Sequence, residues 1–337
     1  MNKSYFDLEP DDQRALLRVA EEKLGLSDMI IEKDLWLCWL LKELFDLPLK
    51  MAFKGGTSLS KVFRLINRFS EDVDITIDYR NFVNEFNFEK ASRSQIKKNS
   101  ENLKVQLEIL AHTKILPYLK KQTLSAFPKS RIDITLSEDG EKLRFFYPAL
   151  FNKNPGYLRD HILIEFGIQN SSEPSDQHLI SPFLSEIDKS IIFPTPSIYT
   201  LSPIRTFWEK ATLIHVECNR KSLIQSPERL SRHWYDLFML SKSWVGEEAF
   251  TQRKVLYNVI QHKTALFNVS YAHYDKCLNG NFRLIPDESD GKQLEKDYRQ
   301  MKKAGMFLKK PPEFDEIIQS LHQLELRCNE KATAHIG

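Results

Sequence analysis

The stretch FKGGTSLSKVFRLINRFSEDVDIT, residues 53–76, constrains this chain more than any other. It runs from a glycine pair through a helix-period segment into a strand-period segment. Gly55 and Gly56 give the backbone access to positive φ and let its N–H groups come close to an anion. Leu59, Val62, Phe63 and Ile66 follow at i, i+3, i+4 and i+7, which predicts an amphipathic helix. From Ser70 the period changes to two. Val73, Ile75 and Ile77 alternate with Asp72, Asp74, Thr76 and Asp78, the pattern of a strand with one apolar and one acidic face.

Each part has a chemical consequence. The N-terminus of a helix, with Thr57 and Ser58 as hydroxyl donors, suits a phosphate chain, although the spacing is not the G-x-x-x-x-G-K-[ST] of a P-loop. Asp72 and Asp74 leave one face of the strand together, and two like charges so placed favour a cation between them. Hard oxygen donors on a rigid strand suit Mg²⁺, with Mn²⁺ as the alternative, and such an ion also holds nucleotide phosphates. Two-metal phosphoryl transfer uses one ion at the attacking oxygen and one at the leaving pyrophosphate. A lone D-x-D is most often a polar strand face, and a lone Gly-Gly most often a turn. Their order points to nucleotidyl transfer.

The rest of the chain sets the frame. Its 337 residues, 42% hydrophobic and 28% charged, describe a globular composition of one large domain or two. A net charge of +2 leaves nucleic-acid contact to local patches. Cys38, Cys218, Cys277 and Cys328 lie far apart, which argues against a zinc ribbon or disulfide framework and fits a reducing cytoplasm. No signal peptide is legible, and the apolar run Leu35 to Leu41 is too short to span a bilayer and is flanked by Lys33, Asp34, Lys42 and Glu43, so no membrane partner is expected. Helices are predicted over 10–24 and 31–46, and two more within 88–125. Met51–Phe53 leads into the glycine pair, and strands are predicted at 131–136, 143–148 and 161–169, with a loop at 170–177. Beyond Pro203 the chain reads as helical apart from a loop near 279–291. The expectation is a mixed α/β (α+β) front, residues 1–200, and a helical back, residues 201–337, that completes the cleft.

Residues 53–75 resemble the AbiEii/AbiGii family of nucleotidyltransferase toxins, relatives of the mycobacterial MenT toxins and the toxic half of bacterial toxin–antitoxin and abortive-infection systems. IEKDLWLCWLL (31–41) resembles the family's N-terminal helix, IRTFWEKATLIH (204–215) its lysine motif and RLSRHWYDLFML (229–240) its aspartate motif. Residues past 245 carry no such motif. The resemblance implies a polymerase-β-like core, with Asp72 and Asp74 as metal ligands, Lys210 as a phosphate or nucleotide contact and Asp236 as a second essential acid. Lys54, Gly55, Gly56, Thr57, Ser58 and Ser70 form the expected phosphate-binding set, and Lys61 flanks it. A third carboxylate is expected from a neighbouring strand: Glu165 or Asp133, with Glu165 preferred because Ile162, Ile164 and Phe166 turn it away from the core.

Plainer readings stand beside these. Lys210 reads equally as a surface lysine paired with Glu209 or Glu217, and Asp236 as an ion pair with Arg232 one turn earlier. Lys61 reads as solvated, His215 and Cys218 as ordinary packing, and Trp234 and Tyr235 as core or as base-stacking groups. Lys97-Lys98, Lys120-Lys121, Arg229/Arg232/His233, Lys302-Lys303 and Lys309-Lys310 are solvated faces unless two of them line one groove. The resulting expectation is a toxin that transfers NMP from an NTP to an acceptor hydroxyl, first of all the tRNA 3′ end, blocking aminoacylation and arresting growth, with a separately encoded antitoxin. The rivals are the same chemistry on a protein, nucleotide or small-molecule acceptor, and a non-catalytic nucleotide- or RNA-binding module.

Overall fold

The computed structural model describes residues 3–82, 91–151, 158–168, 172–220, 223, 229–267 and 269–333. The chain divides into two compact units. The first holds most of the chain up to Leu201; the second holds Ser202 onward together with Phe63–Arg68 and the described part of Asn87–Lys98.

The first unit is built on a seven-stranded mixed sheet in the order β3-β4-β5-β2-β1-β7-β6. β1 (Met51–Lys54) runs antiparallel to β2 (Asp72–Ile77), and β2 runs parallel to β5 (Ile162–Gly167), so the D-x-D strand is the central one. β3 (Asp133–Leu136) and β4 (Lys142–Phe146) extend the sheet beyond β5, and β7 (Ser197–Leu201) and β6 (Ser175–Leu179) extend it beyond β1. Val73, Ile75 and Ile77 share one face with Phe53, Ile164, Phe166 and Phe145, and all are buried in one apolar cluster. α2 (Asp28–Phe45) covers that face with Trp36, Leu37, Leu40, Leu41 and Leu44. Trp36 and Trp39 meet Phe127 at 5.0 and 5.1 Å between ring centroids. A side-chain period of two leaves Asp72, Asp74, Lys54 and Glu165 for the opposite face.

Several expectations hold in kind and shift in extent. α1 is Pro10–Leu24, with Pro10 at its start and Gly25 in the left-handed region at its end, the usual start and stop chemistry. The helix after β1, α3, spans only Gly55–Lys61. The glycines therefore form its first turn instead of preceding it, and Phe63 and Ile66 lie beyond it. The reversal needed to reach β2 in few residues ends the helix early, with Arg64 at φ 53°.

The helical run after residue 92 consists of α4 (Arg93–Leu110), a π turn at Ala111–Ile115 and α5 (Leu116–Ala126). Pro117 has no N–H to give to the residue four back, and the wider turn accommodates its ring. The loop expected at 170–177 is corrected: Ser175–Leu179 is a strand, paired antiparallel to β7. As the edge strand, with Asp176, Gln177 and Leu179 all exposed, β6 carries no alternating apolar signal. β7, missed in the sequence, hides between Pro196 and Pro203.

The second unit is helical: α6 (Pro203–Asn219), α7 (Arg232–Ser241), α8 (Trp244–Thr251), α9 (Arg253–Leu266), α10 (Glu288–Lys303) and α11 (Phe314–Thr333). Among the described residues no helix is long and apolar enough to cross a membrane. All four cysteines are buried thiols.

Candidate active site

In the first unit, strand register assembles a charged row. Lys54 pairs with Asp74, Asp74 with Glu165, and Glu165 with Lys142 across β1, β2, β5 and β4. Residues directly opposite share a face, so Asp74 and Glu165 stand side by side with a lysine beyond each. Glu165 Oε1 lies 3.4 Å from Lys142 Nζ. Asp133 shares the face but sits exposed on edge strand β3, with β4 and β5 between it and β2. Asp72 is the more enclosed of the paired aspartates, 4% exposed, against half-buried Asp74.

Gly55 begins α3 at φ +77°, and a Cβ there would collide with Asp74 Oδ2 and come within 2.8 Å of its Cγ. Only glycine satisfies both demands. The hydroxyls of the following turn face inward. Thr57 donates to the carbonyls of Asp72 and Ser70, the latter at 3.2 Å, and Ser58 donates to the Gly55 carbonyl at 2.9 Å. Thr57 thus ties α3 to the strand entry and Ser58 closes the helix's own first turn, leaving backbone N–H groups as this turn's remaining donors. Ser70 is buried just ahead of β2.

Buried charges to which the sequence assigned no role at the site complete this region. Glu32, Lys33 and Asp34 are consecutive and all buried on α2. Glu32 accepts from the Leu150 N–H at 2.8 Å, and Lys33 meets Glu71 at 2.6 Å. Asp34 accepts from the Phe183 N–H at 2.7 Å and pairs with Lys61, whose ammonium lies 4.4 Å from the Phe183 ring centroid. Lys61 is therefore a buried ion-pair partner and not a solvated flank. Arg159, also unforeseen, places its guanidinium on Asp72 Oδ1. The available signal was three successive charges in an otherwise apolar helix.

Among the described residues no group of three or more His, Cys, Asp or Glu side chains forms a ready metal cluster. The donor set still fits Mg²⁺, which is commonly held by one or two carboxylates with water and substrate phosphates making up the octahedron.

In the second unit, Lys210 on α6 and Asp236 on α7 meet at 2.8 Å. Both are buried, at 7% and 0% exposed, so the surface-lysine reading fails; Glu209 pairs instead with Arg205 and Glu217 with Arg220. Asp236 has a bidentate partner in Arg68, at 2.7 and 2.8 Å, which the local spacing did not suggest. Burial would raise the Asp236 carboxyl, but Arg68 and Lys210 outweigh it and hold the group far below the usual carboxylate range. Burial lowers Lys210 despite Asp236, and burial with the Lys210 charge lowers His233 well below an ordinary imidazole.

Trp234 and Tyr235 are core residues, the Trp234 indole N–H donating to the Leu284 carbonyl at 3.0 Å. His215 packs as expected: its Nδ1 accepts from the Arg283 N–H at 2.9 Å and Nε2 faces the His273 carbonyl at 3.2 Å. Of the basic clusters, Lys97-Lys98, Lys120-Lys121 and Lys309-Lys310 are exposed, and Lys302 pairs with Glu313.

A protein-family model described as "Nucleotidyl transferase AbiEii toxin, Type IV TA system" matches residues 39–320. Among solved structures, the MenT4 nucleotidyltransferase toxin from Mycobacterium tuberculosis aligns at 17% identity and a TM-score of 0.46, over 95% of this chain and 98% of that one. A search of curated proteins returns no match.

Proposed function

The chain belongs to the AbiEii family of nucleotidyl transferase toxins, and on that premise we propose that Asp72 and Asp74 are the divalent-metal ligands of its catalytic centre. Membership makes it a nucleotidyltransferase of a type IV toxin–antitoxin system and implies an NTP substrate and a cognate antitoxin. Our finer reading is a Mg²⁺-dependent cytoplasmic enzyme that transfers NMP to the 3′ end of tRNA and thereby arrests growth.

The observation that carries this reading is the Asp74–Glu165 register beside Gly55. It sets two carboxylates in adjacent strands and brings a tight helix start against one of them. Each residue then has a task within its own unit. Gly55 fixes where the Asp74 carboxylate lies. Thr57 and Ser58 hold the α3 turn, so that its N–H groups, with Gly56 and Lys54, receive phosphate oxygens. Glu165 is the third carboxylate. A divalent ion, when bound, supplies Lewis-acid polarisation and steadies the leaving pyrophosphate. In the second unit Asp236 orients the Lys210 ammonium at 2.8 Å, the group that family resemblance marks as a phosphate or nucleotide contact.

The test is incubation of the protein with each NTP labelled at the α-phosphate, a divalent ion and total RNA, beside an Asp72→Asn/Asp74→Asn variant. Label in a tRNA-sized band with the wild type alone is the expected result. Pyrophosphate release with the label in protein or a small molecule would replace the acceptor and keep the chemistry. No turnover of any NTP would favour a binding module.

A further inference from the structure

Both backbone groups of Arg159 are fixed by one buried ion pair. Glu71 Oε2 accepts from Lys33 Nζ at 2.6 Å and from the Arg159 N–H at 2.9 Å, and the same Lys33 ammonium donates to the Arg159 carbonyl at 2.9 Å. The Lys33 and Glu71 side chains are each 2% exposed. A buried pair of this kind is a costly device, since desolvation offsets most of its attraction, and here its donor and acceptor converge on the two backbone groups of a single residue. From that fixed backbone the Arg159 side chain, 30% exposed, reaches the 5% exposed carboxylate of Asp72. The result is a cation delivered to one arm of the D-x-D pair. A guanidinium and a divalent ion on the same carboxylate oxygen repel one another, so the two exclude each other there.

We propose that Arg159 is a built-in counter-cation of the metal site. It neutralises Asp72 while no divalent ion is bound, gives up Oδ1 when the ion enters, and then turns to the phosphate oxygens of the incoming nucleotide, which a guanidinium grips as readily as a carboxylate. The inference rests on the assignment of Asp72 and Asp74 as metal ligands. It couples the two ligands: nucleotide gives Arg159 an alternative partner and so helps the metal to bind, and the help is reciprocal.

The test is a Mn²⁺ titration of the full-length protein by calorimetry, with and without a non-hydrolysable NTP analogue. The wild type is compared with Arg159→Gln, Arg159→Lys and Asp72→Asn. Without nucleotide, Arg159→Gln should bind Mn²⁺ about tenfold more tightly than wild type, from removal of one adjacent positive charge. Arg159→Lys, which keeps the charge, should stay near wild type. The analogue should tighten Mn²⁺ binding in the wild type more than in Arg159→Gln. Arg159→Met, of similar length and uncharged, gives the same comparison should Arg159→Gln fail to fold.

Equal or weaker Mn²⁺ binding by the folded neutral variants overturns the proposal, as does the absence of Mn²⁺ binding in the wild type and the Arg159 variants alike. If Asp72→Asn weakens binding while Arg159→Gln leaves it unchanged, the metal site stands and only the role of Arg159 falls. If Asp72→Asn binds as the wild type does, the metal lies elsewhere and the site assignment falls with it.

Discussion

At Gly55 two independent constraints meet in one residue: a backbone at φ +77° and a carboxylate where a side chain would be. Gly55→Ala should cost about 1–3 kcal/mol in unfolding free energy from the strained conformation and should also displace Asp74. Urea unfolding and NMP transfer measured together check this, and a variant with both unchanged would contradict it. The glycine pair and the two aspartates were legible in the sequence because each needs a specific residue type at a fixed local spacing. Lys33, Glu71 and Arg159 were not. Lys33 finds Arg159 126 residues away and Arg159 finds Glu71 88 residues away, and no local period connects them. A charge inside an apolar helix signals a buried partner without saying which one.

The elements of the second unit show what a single carboxylate can hold. Asp236 on α7 balances both Lys210 on α6 and Arg68, 168 residues distant from Asp236 in the chain. Asp236→Leu leaves two buried cations without their shared anion and should destabilise the protein by about 3–5 kcal/mol, whereas Arg68→Met should cost less because Lys210 still answers Asp236. Denaturant unfolding of the two variants checks the order, and the reverse order would sink the assignment. The lysine and aspartate motifs were visible through family resemblance, yet their pairing was not, since it depends on how two helices pack. Element extents failed for similar reasons. Apolar periodicity carried α3 through Phe63 and Ile66, although the turn into β2 ends it at Lys61. Edge strand β6 has one neighbour and exposed side chains, so burial imprinted no alternation on it.

Over the whole molecule, buried imidazoles set the acid response. Burial, against the opposing His273 carbonyl, lowers His215 to about 4. An unfolded chain takes up that proton near an ordinary pKa of about 6.5. Between these two values the unfolded state binds the proton and the folded state does not, so stability is full above about pH 6.5 and declines as the pH falls towards 4. The loss from this one group reaches about 3 kcal/mol. His233 is lowered too and acts in the same direction. Asp236, held far below the ordinary range, keeps its contribution throughout that window and loses it only at more acid pH. His215→Gln should therefore show a shallower fall of stability between pH 7 and 4, read from thermal unfolding at each pH; an unchanged slope would contradict the assignment. The mixed α/β class and the helical back were readable from a change in hydrophobic period, whereas the strand order was not, because parallel pairing of β2 with β5 joins segments separated by two helices and a hairpin.

Under the proposed function the triphosphate is broken at the D-x-D strand of the sheet. Pyrophosphate release from an NTP with Mg²⁺ and total RNA, by the wild type and by Asp74→Asn, tests it most directly. Release by the wild type should stop when the divalent ion is chelated, and the variant should lose about 10³-fold, equivalent to about 4 kcal/mol of transition-state stabilisation. Release at the wild-type rate by a folded Asp74→Asn would place the chemistry elsewhere.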